Sequence, residues 1–380
     1  MKTFSKKAWI FAAAALLVIA AGVVAWRVSV KGSEEQDAPE YVVWKSFEDG
    51  DYEIYLYEIS TGNTRKFSNN EVNNIHSEVS GDYVVWQGNS DGDDEIYLYQ
   101  ISTGITKQVS NNTTEDNFPR ISGDNIAWLG NEDGDWDVYL YQISSGITTQ
   151  ITNNDAEDYD PQVSGDYVVW QGWESKNPEI YLYRISSGIT TQVSNNEVKD
   201  SGPQISGDYI VWGSHAGGDW IFWNININLY KISTGETVNI SSSMETVSNG
   251  QIHGDYVVWT GYAGGSWGIF LYKISTSEIT QVTDQMTIEI YPQNSGNHIV
   301  WFAYDDGDSE IYLYEISSGT MTQITNNNTD DLFPSICGDY VLWDGIVGGD
   351  RGIFLYQISS SKTTLITDNN VNDYLPEFDR

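Results

Sequence analysis

A single cysteine, Cys337, stands among 380 residues. No disulfide can form within the chain, so the fold must rest on packing and hydrogen bonds. Basic residues are scarce: 18 Lys and Arg face 54 Asp and Glu, for a formal net charge of −36 at pH 7. That charge opposes binding to nucleic acid or anionic lipid and favours cations and basic partners. Histidine occurs four times. There is no nucleophile elbow, no zinc-binding spacing and no phosphate-cradling Gly loop, and the glycines present are accounted for by turns. Only one long apolar run exists, Ala8 to Trp26, and the remainder gives no indication of helix.

What the chain has in abundance is a repeat. The stretch Gly81 to Ser122, GDYVVWQGNSDGDDEIYLYQISTGITKQVSNNTTEDNFPRIS, recurs through nearly everything after residue 38. The Trp of its YVVW run returns at Trp44, Trp86, Trp128, Trp170, Trp212, Trp259, Trp301 and Trp343, in steps of 42 residues except for 47 between Trp212 and Trp259. A fixed period of this size signals a repeat architecture. Each copy reads as four short strands: A (FPRIS), B (YVVW), C (EIYLYQI) and D (TKQVS), all rich in β-branched and aromatic residues. Gly-Asp joins A to B, DGDxE joins B to C, and STG or SSG joins C to D, which makes each unit an antiparallel meander. Strands B and C are apolar on both faces, so each small sheet needs a neighbour on either side.

Four-stranded sheets placed radially around a channel meet that need and leave only short edges. The expectation is all-β: an eight-bladed β-propeller of four-stranded antiparallel blades. The first B strand, Tyr41 to Trp44, has no A strand before it, and the last A strand, Leu375 to Phe378, has no B strand after it. The C-terminal strand therefore closes the ring by completing the first blade.

The unit resembles the TolB-like propeller repeat across roughly residues 38 to 380. The matching residues are the Pro-x-x-Ser strand (Pro161 to Ser164), the B strand Tyr167 to Trp170, the Asp-Gly before an Ile-Tyr strand (Asp91-Gly92, Ile96-Tyr97), and a D strand ending in Thr (Ile151-Thr152). One departure is plain: the family's Ser-Pro-Asp-Gly turn is Ser-Gly-Asp here. The resemblance implies a propeller used for binding at the cell envelope, and there is no room for the separate N-terminal domain of the Tol-system protein.

Residues 1–31 read as a signal anchor or signal peptide, 32–38 as a linker and 39–380 as the propeller. Lys2, Lys6 and Lys7 precede the 19-residue uncharged run Ala8–Trp26, whose length suits a spanning helix, although Val18-Ile19-Ala20 offers a cleavage site. The expected location is a propeller held on the extracytoplasmic side of a membrane, or secreted if the signal is cleaved.

In a meander the B–C and D–A loops open on one rim, and the A–B and C–D turns on the other. The first rim is dense in acids. Its DGDxE loops place Asp91, Asp93 and Glu95 in one blade, Asp133 and Asp135 in another, and Asp306 and Asp308 in a third. Alternating carboxylates of this kind supply the oxygens that Ca²⁺ takes, yet the EF-hand pattern is not met, and solvated Asp-Gly turns are the plainer account. Other B–C loops depart from the pattern and carry Trp173, Trp220, Phe222, Trp223 and Trp267. An aromatic arc on an acidic rim suits a sugar ring or a protein hot spot; packing of these rings on their own blades competes with that reading.

Some TolB-like propellers resemble uronate lyases with several histidines on one metal. Here His76, His215, His253 and His298 fall at different rims and depths, which does not suit a shared ion. Cys337, where other copies have Ser, reads as a buried replacement. The expected function is a non-catalytic extracytoplasmic binding or scaffold module for an envelope protein, a surface protein or a glycan, with membrane contact through the N-terminal helix and no nucleic acid. The alternatives are a calcium-laced structural or adhesive surface protein, and a propeller lyase or hydrolase.

Overall fold

The computed structural model describes residues 39–380 apart from 69–71, 90–91, 175, 216–225, 249, 284–288, 306, 368–370 and 379–380. The expected anchor and linker, residues 1–38, lie outside the described residues, and no described helix is long and apolar enough to cross a membrane. The described elements are strands in eight antiparallel sheets. Each sheet has four strands except the sixth, whose innermost strand is split into Thr246–Val247 and Gln251–His253. The innermost strand of each blade packs against that of the next all the way round. The ring is an eight-bladed propeller.

Closure is made by the C-terminal strand. Asn372–Phe378 pairs with Tyr41–Glu48, with Val42 opposite Phe378 and Ser46 opposite Asp373. Two strands from the chain's end and beginning thus form one sheet, as the unpaired A and B segments required.

Two-faced burial sets the spacing of the blades. Successive residues of a strand point to opposite faces. Val42 and Trp44 pack against Cys337, Leu342, Ile353 and Leu355 of blade eight, whereas Val43 packs with Val84 and Trp86 of blade two. Cys337 is fully buried in this way, as a Ser replacement would be. The repeated Trp is the pivot of each unit. Trp44 stacks on Tyr55 of the adjacent strand at 5.5 Å, and Trp343 on Phe354 at 5.4 Å. The indole N–H then donates to an inner-strand side chain: Trp44 to Asp373 (3.0 Å), Trp128 to Asp116 (2.8 Å), Trp343 to Asp331 (2.9 Å). A Cβ at Gly345 would come 2.2 Å from Asp331 Oδ1, so in blade eight this partnership requires glycine two residues after the Trp, whereas blade one accommodates Ser46 at the same place.

The Gly-Asp turns have a purpose that explains their departure from Ser-Pro-Asp-Gly. Asp82 accepts from both the backbone N (2.7 Å) and the hydroxyl (2.5 Å) of Ser102 in the C–D turn. Asp124, Asp166, Asp208, Asp255 and Asp339 do the same for Ser144, Ser186, Ser233, Ser275 and Ser359. The glycine N–H reaches sideways to the preceding blade: Gly123 N donates to Ser80 Oγ (3.2 Å) and Gly338 N to Ser295 Oγ (3.1 Å). Proline at that place has no N–H to give.

Two expectations need correction. The inner strands start earlier than FPRIS, at Asp116 rather than Phe118, because the buried acid that receives the indole N–H belongs to them. Trp267 is not in a loop: it lies in the strand Ser266–Lys273, opposite Tyr262, because the B and C strands of blade six run on to a tight Gly264-Gly265 turn.

Deleting Asn372–Arg380 should cost about 3–6 kcal/mol, the sum of one buried aromatic and one orphaned indole donor, and broaden the unfolding transition. A midpoint equal to that of the intact chain in calorimetry would show that this strand does not hold the ring.

Candidate functional site: the channel mouth

Seven of the inner strands carry the same irregularity. Their register slips just before the residues that face the channel, as between Asn117 and Arg120. Such bulges bend a strand and re-aim side chains. At the slip the backbone enters the left-handed region: His76 (φ 53°), Phe118 (57°), Asp160 (51°), Gly202 (62°), Tyr291 (56°), Phe333 (51°) and Leu375 (50°). An L-residue there costs roughly 1–2 kcal/mol, and glycine costs nothing of the kind. Gly202 shows that glycine serves the bulge. Of the other six blades one has Asp160 and five keep large side chains, and Phe118, Tyr291, Phe333 and Leu375 are each at least 40 % exposed.

These side chains form a collar. The ring centroids of Tyr291 and Phe333 lie 5.9 Å apart, and those of His76 and Phe118 4.8 Å apart. Leu375 shares with His76 and Phe118 a cavity of about 200 Å³ that also holds Lys45, Glu78, Arg120 and Glu377. A second cavity, about 250 Å³, is lined by Glu78, Arg120, Gln162, Gln204, Gln251, Gln293 and Glu377. Its residues come later along each inner strand, so it lies deeper and the collar opens on the acidic rim. The channel therefore presents four consecutive amides opposite one charged set. Arg120 is ion-paired with Glu78; the Glu78 charge first, then Glu377 and Asp160, raise its pKa. Lys45 has no carboxylate within ion-pair distance among the described residues and lies over the Tyr52 ring at 5.0 Å. His76 is held below its usual pKa by desolvation within the mouth and then by the charges of Lys45 and Arg120.

The residues singled out from sequence fall elsewhere. Trp173 follows the strand Tyr167–Gly172 and carries the Lys199 ammonium 5.8 Å from its ring. Trp267 packs on Tyr262 at 5.4 Å. Trp220, Phe222 and Trp223 lie outside the described residues, as do Asp91 and Asp306. Glu95 is buried in the blade, accepting from Ser110 Oγ (2.5 Å) and Asn112 N (2.8 Å). Asp93 and Asp308 are half-buried, while Asp133, Asp135 and the neighbouring Asp137 come together. The histidines stay apart: His215 ends a strand and meets Ser201 Oγ at 2.8 Å, His253 and His298 sit by A–B turns, and only His76 lines a channel cavity. The collar is not among the residues that the repeat pattern singles out, although it has a signal: a bulky residue directly before the Pro of the inner strand, or before Ser77 in the case of His76, in register with Gly202.

The buried acids beneath the Trp residues are strongly perturbed. Burial, then the Glu95 charge, pushes Asp116 up to about 7. Asp158 is likewise pushed up to about 7 by burial, with Asp137 and Glu174 adding to it. Asp331 and Asp344 are raised to about 6, both mainly by burial, the latter against the pull of Arg351.

A scan against family models matches the TolB beta propeller domain over residues 33–228, more than half of the chain. The fold and the match define the class: the chain belongs to the TolB β-propeller domain family. No curated protein matches its sequence. Among solved structures it is similar to an oligogalacturonate lyase from Vibrio parahaemolyticus (13% identity, TM-score 0.56, covering 86% of this chain and 98% of that one). It is also similar to dipeptidyl peptidase 4 from Porphyromonas gingivalis (12%, 0.60, 86% and 59%), and to the β-propeller domain of the Trilobed protease from Pyrococcus furiosus (12%, 0.54, 79% and 96%). These likenesses are of fold.

The raised acids make stability fall as pH rises. An unfolded Asp titrates near 3.9, so between about pH 4 and 7 the native chain retains protons that the unfolded chain has released. The thermal midpoint should be several degrees higher at pH 5 than at pH 7.5. A midpoint that instead climbs across that range would mean that these acids are ionised and paired in the native state.

Proposed function

We propose that this chain is a non-catalytic binding propeller, held outside the cytoplasm by its N-terminal apolar run, whose ligand seats on the channel mouth. One observation carries this reading: five blades keep His76, Phe118, Tyr291, Phe333 and Leu375 in a left-handed backbone conformation that Gly202 adopts without strain. Strain retained where a cheaper residue fits is a mark of use. The exposed rings above and the four glutamines below suit a glycan end, since flat aromatic faces stack on sugar rings and an amide both donates and accepts. An envelope protein segment is the other candidate for the same mouth. Lys2, Lys6 and Lys7 followed by Ala8–Trp26 support the outside location.

A lyase or hydrolase would need a proton-transfer group in the channel, where Glu78 and Glu377 flank Arg120. Degradation of a bound glycan by the wild-type chain, abolished by Glu377→Gln, would replace the binding reading.

The test sets stability against binding. Phe118→Gly and Phe333→Gly should each change stability by less than about 1 kcal/mol, because relief of the backbone strain offsets the lost packing. On an array of neutral and uronate glycans, the pair together should abolish wild-type binding. Binding that survives both changes would remove the collar from the site.

A further inference from the structure

We propose that the loop from Asp133 to Asp137 in blade three is a binding site for a hard divalent cation, Ca²⁺ in the first instance, held by the carboxylates of Asp133, Asp135 and Asp137. The site is separate from the channel mouth and does not depend on its function. One oxygen from each of the three carboxylates lies within 4.8 Å of the others, and no Lys or Arg pairs with any of them among the described residues. Asp135 is raised by burial and then by its two acidic neighbours, and Asp137 is raised mainly by burial.

Proximity alone would not make a site; the second observation is a set of orphaned oxygens. Asp137 is 0% exposed; its Oδ2 accepts from Gln150 Nε2 at 2.8 Å, and its Oδ1 has no short, well-aligned donor although the Thr152 hydroxyl and the Asn154 N–H lie near the carboxylate. Four other blades have Glu at this place: Glu53, Glu95, Glu179 and Glu310. Glu53 takes Ser68 Oγ (2.5 Å) and pairs with Lys66, Glu95 takes Asn112 N and Ser110 Oγ, and Glu179 takes Asn196 N (3.0 Å) and Ser194 Oγ (2.6 Å), whereas Glu310 takes Asn327 N (2.6 Å) through Oε1 and leaves Oε2 without a partner, as Asp137 leaves Oδ1. Asp137 is one methylene shorter. The asparagine of the following loop differs accordingly: Asn112, Asn196 and Asn327 donate to the inner-strand acids Asp116, Asp200 and Asp331 at 2.6–2.7 Å, whereas Asn154 turns outward to Glu174 (3.4 Å). Asp158, also 0% exposed, has no short, well-aligned donor on either oxygen, with only the Thr152 hydroxyl and the Trp170 indole nearby.

The outer part of the loop repeats the theme. Asp135 Oδ2 is buried without a partner, as are Asp93 Oδ2 and Asp308 Oδ2 at the same place in two other DGD loops. In those loops the first Asp lies outside the described residues; in blade one Asp49, Asp51 and Glu53 are all described, but Glu53 is ion-paired with Lys66 and the three do not come together. Buried carboxylate oxygens that lack donors cost free energy that a cation returns. An all-oxygen, all-carboxylate set selects a hard ion, and Ca²⁺ tolerates such an irregular shell with water filling the remaining positions.

Tb³⁺ occupies Ca²⁺ oxygen sites and emits when a nearby indole is excited, and Trp136 lies inside the loop. Titrated with Tb³⁺ under indole excitation, the full-length chain should show emission that Ca²⁺ displaces. Asp135→Asn should weaken Tb³⁺ binding by about tenfold or more. Trp136→Phe should lower the emission and leave Ca²⁺ affinity, measured by calorimetry, unchanged. Millimolar Ca²⁺ should raise the thermal midpoint of the wild type relative to EDTA and leave that of Asp135→Asn where EDTA has it. Emission indifferent to both substitutions would place the ion elsewhere on the acidic surface and overturn the assignment, as would a wild type whose midpoint ignores Ca²⁺.

Discussion

No blade of this protein can exist alone, because its two central strands are apolar on both faces. The architecture follows from that constraint. Val42 and Val43, adjacent in sequence, belong to two different cores, so each sheet is half of the interior of its neighbour on either side. The repeat has no stable end until the last core meets the first. In this chain the meeting is made by Asn372–Phe378, whose Asp373 receives the Trp44 indole and whose Phe378 fills the core beside blade eight.

The large excess of acid resolves into distinct uses. Asp82 and its counterparts tie the C–D turn to the A–B turn. Asp116 and Asp331 sit under the repeated Trp and hold their protons to higher pH than a free Asp because they are buried. The loop acids Asp93, Asp135 and Asp308 of the other rim each keep a buried oxygen without a close donor, as do Asp158, Glu310 and Asp344 within the strands. A net charge alone does not separate these uses; hydrogen-bond partners do.

Sequence made the ring legible because the features that encode it are periodic. The 42-residue step, the two-faced B strand and the unpaired terminal segments lead to eight blades and to their closure without further help. The channel mouth was hidden for a physical reason. Whether Phe118 is a core residue or an exposed one depends on a bulge, and a bulge is a property of pairing between strands rather than of either strand's composition. Trp267 misled in the opposite sense: a large ring beside glycines suggests a binding loop, but the strands of blade six simply run farther. The difference between Glu95 and Asp137 is a single methylene in an otherwise faithful copy. Its effect on the Asn154 loop and Asp158 is seen only when both sides of the blade junction are laid side by side.

The sideways bonds from Gly123 to Ser80, Gly165 to Ser122, Gly254 to Ser206 and Gly338 to Ser295 all lie on the turn rim. They act as a drawstring through one end of the barrel. The loop end has a cord of its own: the backbone N–H of Tyr52, Asp94, Trp136, Ser309 and Arg351 donates to the side chains of Asn73, Glu115, Glu157, Asp330 and Asn372, each at the start of the next blade. Any widening of the channel would therefore have to stretch two hoops at once, one of glycine–serine bonds and one of loop amides held by carboxylates and amides, so the ring resists opening at either end.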